Sequence, residues 1–268
     1  MLEVDEFEGI TRIKMSREVD GSPVYWVASY LVDGLLIDTG CKHTADKLVD
    51  YLDGKGVKLV VNTHFHEDHI GANHLIQERF GVEIFAHADS VPLINRVPEL
   101  HPYQEFVWGY PEPTRVSELG DSIETPGFHF EVLETEGHSE GHVVLFEPDK
   151  GWCFSGDIYI TDKPKVIRAD EDASGLVKTM RDLAGLDTDR LVLFTSMGEI
   201  IPQGRQALLS CVEYLEDLSR KAGELAAEGL SVDAIIVELL GRGSVLAGLT
   251  DGHFSSDNLI RGILRMSS

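Results

Sequence analysis

Residues 64–69 concentrate three histidines and two acidic residues in six positions, with the sequence HFHEDH. Imidazole nitrogens and carboxylate oxygens are the usual protein ligands of divalent transition metals. The stretch directly follows residues 57–61, an apolar segment that predicts a buried strand running into a turn. Desolvating so many polar groups beside a buried strand is costly unless a ligand satisfies them. We therefore expect residues 64–69 to bind metal.

Further polar residues stand where other predicted strands end. They are Asp38 after residues 35–37, His138 between strands 128–135 and 143–147, Asp157 at the end of strand 152–157, and the turn 195–198 after strand 191–194. Where strands alternate with helices, such strand ends lie along one rim of a sheet. His64 and His66 are two positions apart, so both rings point to the same side of an extended chain. Three imidazoles from two strand ends are enough for an open zinc site.

Two regions with different patterns divide the chain. Up to residue 204, short apolar strands alternate with amphipathic helices; from residue 205 onward the pattern is helical, with helices predicted over 205–228, over 231–240 and from 255 or 256 to 265. We predict one main domain, 1–204, and a helical extension, 205–268, packed on it. Residues 90–118 are rich in proline and aromatic residues and are predicted to be an irregular segment, which is typical of a lid or pocket wall.

Composition restricts the partners of this protein. The 268-residue chain has 46 acidic and 23 basic residues, a net charge of −23, which argues against nucleic-acid or anionic-membrane partners. We expect a small-molecule substrate and leave association into a homo-oligomer open. The acidic N-terminus has no apolar signal segment, and no apolar run reaches transmembrane length. Three widely spaced cysteines indicate reduced thiols, so we expect a cytoplasmic protein.

Over residues 10–205 the chain resembles the metallo-β-lactamase superfamily. Its H-x-H-x-D-H pattern is matched in full by residues 64–69, and three further motifs follow in order: Asp-Thr-Gly at Asp38, Gly-His-Ser-x-Gly-His at His138 and Ser-Gly-Asp at Asp157. The tail, ending in GHFSSDNLIR at residues 252–261, resembles the helical extension of the glyoxalase-II-like hydrolases. The resemblance implies an α/β fold, a four-layer αββα sandwich with a helical C-terminal extension.

The resemblance also implies the ligand set and the chemistry. One zinc ion would be held by His64, His66 and His138, and a second by Asp68 and His69, with Asp157 bridging the two or serving one of them. Asp38 would stand behind a ligand histidine and fix its tautomer. A metal-bound hydroxide would attack an ester-like carbonyl, of a thioester or a lactone. Asp68 would orient that hydroxide and shuttle its proton.

One position departs from the family pattern. The last ligand is usually a histidine in a Gly-His-Gly turn, and here the turn is Thr-Ser-Met-Gly, with Met197 at the histidine's position. A thioether is a poor zinc ligand, so the second site would be weaker. Candidates to replace the lost histidine are His253, His101 and His43, although each is more often a surface or hydrogen-bonded residue.

Three functions remain open from the sequence. The first is a hydrolase with one tight and one loose metal. The second is a mononuclear iron enzyme, similar to the persulfide dioxygenases of this fold, with His64, His138 and Asp157 as its triad. The third is a metal-binding protein with little catalysis. One or two zinc ions are expected, with iron or manganese as alternatives, and the substrate is left open.

Overall fold

Residues 1–266, which the computed structural model describes, form strands and helices that we number in chain order. The strands are β1 (Leu2–Phe7), β2 (Ile10–Met15), β3 (Glu18–Val19), β4 (Ser22–Pro23), β5 (Val27–Val32), β6 (Leu35–Ile37), β7 (Leu59–Val61), β8 (Glu83–Ala86), β9 (Ser117–Glu118), β10 (Ser122–Glu124), β11 (His129–Thr135), β12 (His142–Glu147), β13 (Trp152–Gly156), β14 (Ile167–Arg168), β15 (Val192–Thr195), β16 (Ile200–Ile201) and β17 (Phe254–Ser255). The helices are α1 (Ala45–Leu52), α2 (Asn73–Phe80), α3 (Val91–Ile94), α4 (Pro102–Val107), α5 (Ala173–Ala184), α6 (Gly204–Ala227), α7 (Val232–Leu240), α8 (Val245–Leu249) and α9 (Ser256–Met266).

Backbone contacts divide the chain into two compact units with interleaved segments. The first comprises Met1–Glu134, Glu140–Gly156 and Val192–Ile200, and the second comprises Thr135–Ser139, Asp157–Leu191 and the chain from Ile201 onward. The division at residues 204 and 205 stays a prediction.

Two sheets build the first unit. The larger has the order β1-β2-β5-β6-β7-β8-β9 and the smaller the order β10-β11-β12-β13-β15-β16. Asp33 and Gly34, with φ of 49° and 89°, form the tight turn of the β5–β6 hairpin. Helix α1 then returns the chain so that β7 lies parallel to β6, and β8 lies parallel to β7. Because β6 and β7 are parallel, the residues that follow Ile37 and Val61 leave the same edge of the sheet.

The core of the first unit is rich in aromatic side chains contributed by both sheets. Tyr30 of β5 lies edge-on to Phe154 of β13 and Phe194 of β15, with ring centroids 5.5 Å apart in each pair, and the two phenylalanines stack at 4.7 Å. The Tyr30 hydroxyl is buried and donates to the Thr195 carbonyl at 2.6 Å. Burial also raises the pKa of Tyr30 far above its ordinary value. A second cluster packs α1 and α2 against the larger sheet, through Leu48, Leu52 and Ile76 among others.

The second unit is mainly helical. Helices α5, α6, α7 and α9 pack on one another, and the two-stranded ladder β14–β17 joins the loop before α5 to the segment before α9. Asp172 caps α5 by accepting from the Ser174 and Gly175 amides, and Ser231 caps α7 by accepting from the Ala234 amide. The predicted α/β class and the helical C-terminal part are confirmed, with α6, α7 and α9 within a residue or two of the predicted bounds.

Strand β1 and the helices of residues 90–118 differ from the sequence prediction. Residues 2–7 were not predicted as a strand, because their acidic side chains give no buried face; they form an exposed edge strand paired along its full length with β2. The segment 90–118, predicted as irregular, contains α3 and α4. Within residues 1–266, no helix combines the length and the apolar character that crossing a membrane requires.

Candidate metal centre

Asp38 is a buried carboxylate at the carboxyl end of β6. Its Oδ1 accepts from the Thr63 amide at 2.8 Å, and its Oδ2 accepts from the Thr63 hydroxyl at 2.9 Å and from His69 Nδ1 at 2.8 Å. Asp38 has a φ of 57°, a left-handed conformation that is unusual for a residue other than glycine. This local strain is maintained because the three hydrogen bonds fix the carboxylate toward the loop after β7.

These hydrogen bonds decide which nitrogen of each histidine carries the proton. His69 Nδ1 must be the donor to Asp38, because an ionised carboxylate only accepts, and in the neutral imidazole this leaves a lone pair on His69 Nε2. The Thr63 hydroxyl has one proton and gives it to Asp38, so it accepts from His64 Nδ1 at 3.0 Å. His64 therefore also presents an unprotonated Nε2, the form that binds metal.

The loop carrying these histidines is fixed by buried amides. The His69 carbonyl accepts from the Thr39 amide at 2.8 Å and from the Asn62 side chain at 3.2 Å. Asn73, at the start of α2, donates to the Asn62 side-chain oxygen at 2.8 Å. Because these polar groups are fully buried and hydrogen-bonded, the loop holds one conformation.

His64 and His66 turn their ring nitrogens toward each other. His64 Nε2 and His66 Nδ1 are 2.8 Å apart, and both side chains are buried. Since His64 Nε2 carries a lone pair, it can accept a hydrogen bond from His66 Nδ1 at this separation, and a cation beside both nitrogens would take the place of that proton. The pair thus fits two ligands of one metal ion.

His138 and Asp157 have a similar arrangement in the second unit. His138 lies in the loop between β11 and β12, and Asp157 directly follows β13. His138 Nδ1 lies 2.7 Å from Glu171 Oε1, which gives that nitrogen the proton and leaves Nε2 as the ligand atom. His138 Nε2 is 3.4 Å from Asp157 Oδ2.

Four of the six predicted ligands form a group that can hold a metal ion. His64, His66, His138 and Asp157 each offer one ligand atom, and these atoms all lie within 4.8 Å of one another. Three imidazole nitrogens with one carboxylate oxygen are a donor set typical of zinc and of iron or manganese. Among residues 1–266, Asp68 and His69 lie outside this group, and His69 Nε2 is 3.9 Å from Asp68 Oδ2.

Met197 lies in the tight turn between β15 and β16. The Gly198 amide donates to the Thr195 carbonyl at 2.9 Å, and the Ala28 amide of β5 donates to the Ser196 carbonyl at 2.7 Å. Met197 itself is half-buried. Backbone hydrogen bonds therefore hold the turn in place, and the side chain at the predicted ligand position is the thioether of Met197.

The three histidines considered as replacements have other contacts. His43 Nε2 lies 3.0 Å from the Glu105 carbonyl oxygen, and His101 caps helix α4. His253 Nε2 lies 3.6 Å from Asp170 Oδ1. None of these histidines belongs to the four-residue group.

Two residues near the site were missed from the sequence. Glu171 stands between two other acidic residues, a pattern typical of a solvated loop, but its side chain is 10% exposed and bonds His138. Gln104 of α4 donates to the buried Glu67 carboxylate at 2.7 Å, which links the segment 90–118 to the histidine stretch. Both pairings join residues more than 30 positions apart, and short-range patterns do not report such contacts.

Comparisons with known proteins show the family of this chain. A sequence model of the Metallo-beta-lactamase superfamily matches residues 25–195. The hydroxyacylglutathione hydrolase GloC of Haemophilus influenzae is 28% identical over 185 residues, which cover 61% of this chain and 82% of that protein. The "Probable metallo-hydrolase YybB" of Bacillus subtilis is 33% identical over 135 residues, 49% of this chain and 59% of that relative, so the chain spans less than two thirds of it.

Solved structures share the fold. A metallo-beta-lactamase family protein from Thermus thermophilus superposes with a TM-score of 0.67 at 19% identity, covering 97% of this chain and 94% of that one. A beta-lactamase domain protein from Burkholderia ambifaria gives a TM-score of 0.68 at 16% identity, covering 100% of this chain and 85% of that one. These matches confirm the predicted αββα sandwich.

The family match covers more than half of the 268 residues, and the relatives are named hydrolases or metallo-hydrolases. The chain is therefore a metallo-hydrolase and belongs to the Metallo-beta-lactamase superfamily.

Proposed function

We propose that this enzyme hydrolyses an ester-like carbonyl bond, in a thioester or a lactone, with a divalent metal held by His64, His66, His138 and Asp157. The observation that carries the proposal is the four-residue donor group. We take zinc as the resident ion, because three imidazoles and one carboxylate match its preferred ligands. Iron and manganese are the alternatives that metal analysis would distinguish.

The residues around the donor group prepare it for this chemistry. When bound, the ion would activate water and polarise the carbonyl oxygen of the substrate. Asp38 acts through Thr63 to keep the Nε2 lone pair of His64 available. We assign Asp68, which is 9% exposed, to orient the attacking water and accept its proton.

The thioester class is supported by the names of relatives. GloC and several weaker matches are called hydroxyacylglutathione hydrolases, which names an acyl-glutathione as their substrate. These matches range from 28% to 30% identity, and the chain spans only 33% to 38% of the relatives from Legionella pneumophila and Rhizobium meliloti. We therefore propose the thioester bond and leave its acyl and thiol parts to experiment.

A substrate panel tests the proposed function. Protein purified without added metal is assayed on acyl-glutathione thioesters, other thioesters and lactones, with elemental analysis of the same sample. We expect turnover that disappears after chelation and returns with zinc. Absence of turnover on the whole panel with zinc, iron or manganese would reject the hydrolytic assignment for these substrates.

Met197 offers a test of the second metal. Asp68 and His69 would hold a second ion that lacks the usual last histidine, so we expect this ion to bind weakly. Met197→His is expected to raise the affinity for the second ion by about 10-fold or more, since one imidazole bond is added to an incomplete ligand set. Titration of the metal-free protein with zinc, with Met197→Leu as the matched control, measures this. Equal stoichiometry and affinity in both variants would mean that Met197 is not the lost ligand position.

We propose a cytoplasmic location and a small-molecule substrate. Within residues 1–266, Cys41, Cys153 and Cys211 are buried free thiols. Burial raises the pKa of Cys153 and Cys211 to about 12, so both remain protonated near neutral pH. The net charge of −23 disfavours nucleic acid and anionic membranes as partners.

A further inference from the structure

We propose that Glu171 is a positioning residue for the metal ligand His138, and that strand β17 and Asn258 of the C-terminal part hold Glu171 in place. The inference rests on the proposed function, because it treats His138 as a ligand. It concerns the second unit alone, and it gives the tail a role in the metal centre although no described tail residue, up to position 266, belongs to the donor group.

Both oxygens of Glu171 are used. Oε1 accepts from His138 Nδ1 at 2.7 Å, and Oε2 accepts from the Arg168 amide at 2.7 Å. The carboxylate is therefore fixed on one side by backbone and aligns the imidazole on the other. A carboxylate behind a ligand histidine sets its tautomer and orientation and increases its basicity.

The loop carrying His138 is clamped to the start of helix α5. The Asp172 amide, next to Glu171, donates to the Gly137 carbonyl at 2.7 Å. Gly137 has a φ of 105°, and a Cβ on it would lie 2.1 Å from the Leu176 amide nitrogen. Only glycine permits this approach. His138 and Glu171 are thus brought together by backbone contacts that leave little freedom.

The C-terminal part ties down the other end of the Glu171 loop. Strand β17 pairs with β14, so that Ser255 faces Ile167 and Phe254 faces Arg168, the residue whose amide binds Glu171. Asn258, at the start of α9, donates to the Ile167 carbonyl at 3.3 Å and to the His253 carbonyl at 3.0 Å. The tail therefore fixes the backbone from which Glu171 is held.

The buried guanidinium of Arg168 adds a further contact between β14 and β17. Arg168 is 7% exposed, and its guanidinium binds both oxygens of Asp170, at 3.0 and 3.2 Å. The guanidinium carbon also lies 5.9 Å from the centre of the Phe254 ring. Because Arg168 is buried, its guanidinium keeps a defined position through the two-point contact with the Asp170 carboxylate, which is itself 55% exposed.

The experiment is a double-mutant cycle on metal affinity, measured by competition between metal-free full-length protein and a chromophoric chelator for zinc. Glu171→Gln, which keeps the shape and removes the charge, is expected to weaken zinc binding by about 10- to 100-fold. Asn258→Ala is expected to weaken it several-fold. Because Asn258 acts through Glu171, adding Asn258→Ala to Glu171→Gln should cause little further loss.

Matched controls separate positioning from general damage. Glu136→Gln makes the same change two residues from His138, at an exposed carboxylate that pairs with Lys178, and should leave zinc affinity unchanged. Asp257→Ala, at an exposed ion pair beside Asn258, should do the same. Circular dichroism of each metal-free variant verifies folding, and the cobalt spectrum of Glu171→Gln should differ from that of wild type.

The outcomes distinguish this inference from the proposed function. Unchanged zinc affinity and cobalt spectrum in Glu171→Gln would overturn the role of Glu171. Fully additive losses in the double variant would overturn the role of the tail. If wild type and His138→Ala bind zinc equally, the metal assignment itself fails, and the inference fails with it.

Discussion

Replacing His66 with alanine is expected to lower kcat/KM on any substrate that the enzyme hydrolyses by at least about 100-fold, because it removes a ligand of the proposed metal. His66 is buried, and its Nδ1 faces His64 Nε2 at 2.8 Å within the four-residue donor group. Loss of an outer partner of a metal ligand typically costs about 10- to 100-fold in affinity or activity, and loss of the ligand itself should exceed that. Steady-state kinetics with saturating zinc measure the effect.

The control is another histidine outside the site. His74 on α2 is partly exposed and contacts Glu78 and Glu112, so His74→Ala should retain wild-type turnover. Zinc content is measured on wild type and on both variants. A His66→Ala variant that kept its full turnover would show that the hydrolysis does not depend on this donor group, whereas loss of zinc together with turnover would support it.

Helices and strands with one buried face could be predicted from the local spacing of apolar residues. Helices α6 and α7 were placed to within a residue or two because their apolar positions repeat at helical spacing and Ser231 caps the second. Strand β1 was missed because its acidic residues have no buried face to produce alternation. It is a strand only because β2 supplies the pairing partner, which is a tertiary effect.

Some residues of the candidate site could be predicted from the sequence, and others could be identified only from the structure. Ligand candidates such as His64, His66 and Asp157 stand in short motifs at strand ends, so composition and spacing were enough to nominate them. The group of ligand atoms within 4.8 Å is a property of the structure. Glu171 had no such signal: it sits between two other acids, and only the packing of the loop before α5 places it on His138.

Asp38→Ala is expected to reduce the free energy of unfolding by about 3 kcal/mol or more, because it removes an acceptor shared by three buried donors. The carboxylate accepts from the Thr63 amide, the Thr63 hydroxyl and His69 Nδ1, and its removal leaves all three without their acceptor. A buried donor that loses its acceptor costs about 1–3 kcal/mol, so three such donors together cost about 3 kcal/mol or more. Urea denaturation of metal-free protein, with comparison of the m-values, measures the loss.

The matched control for Asp38→Ala is Asp20→Ala. Asp20 has almost the same left-handed backbone, with a φ of 50° against 57° for Asp38, but it is exposed. Both variants place alanine in that conformation, so their difference isolates the buried hydrogen bonds from backbone strain. Asp38→Ala should be much the less stable of the two. Equal losses would mean that the strained backbone, rather than the carboxylate, accounts for the effect, and Asp38 would then have no special part in holding the histidines.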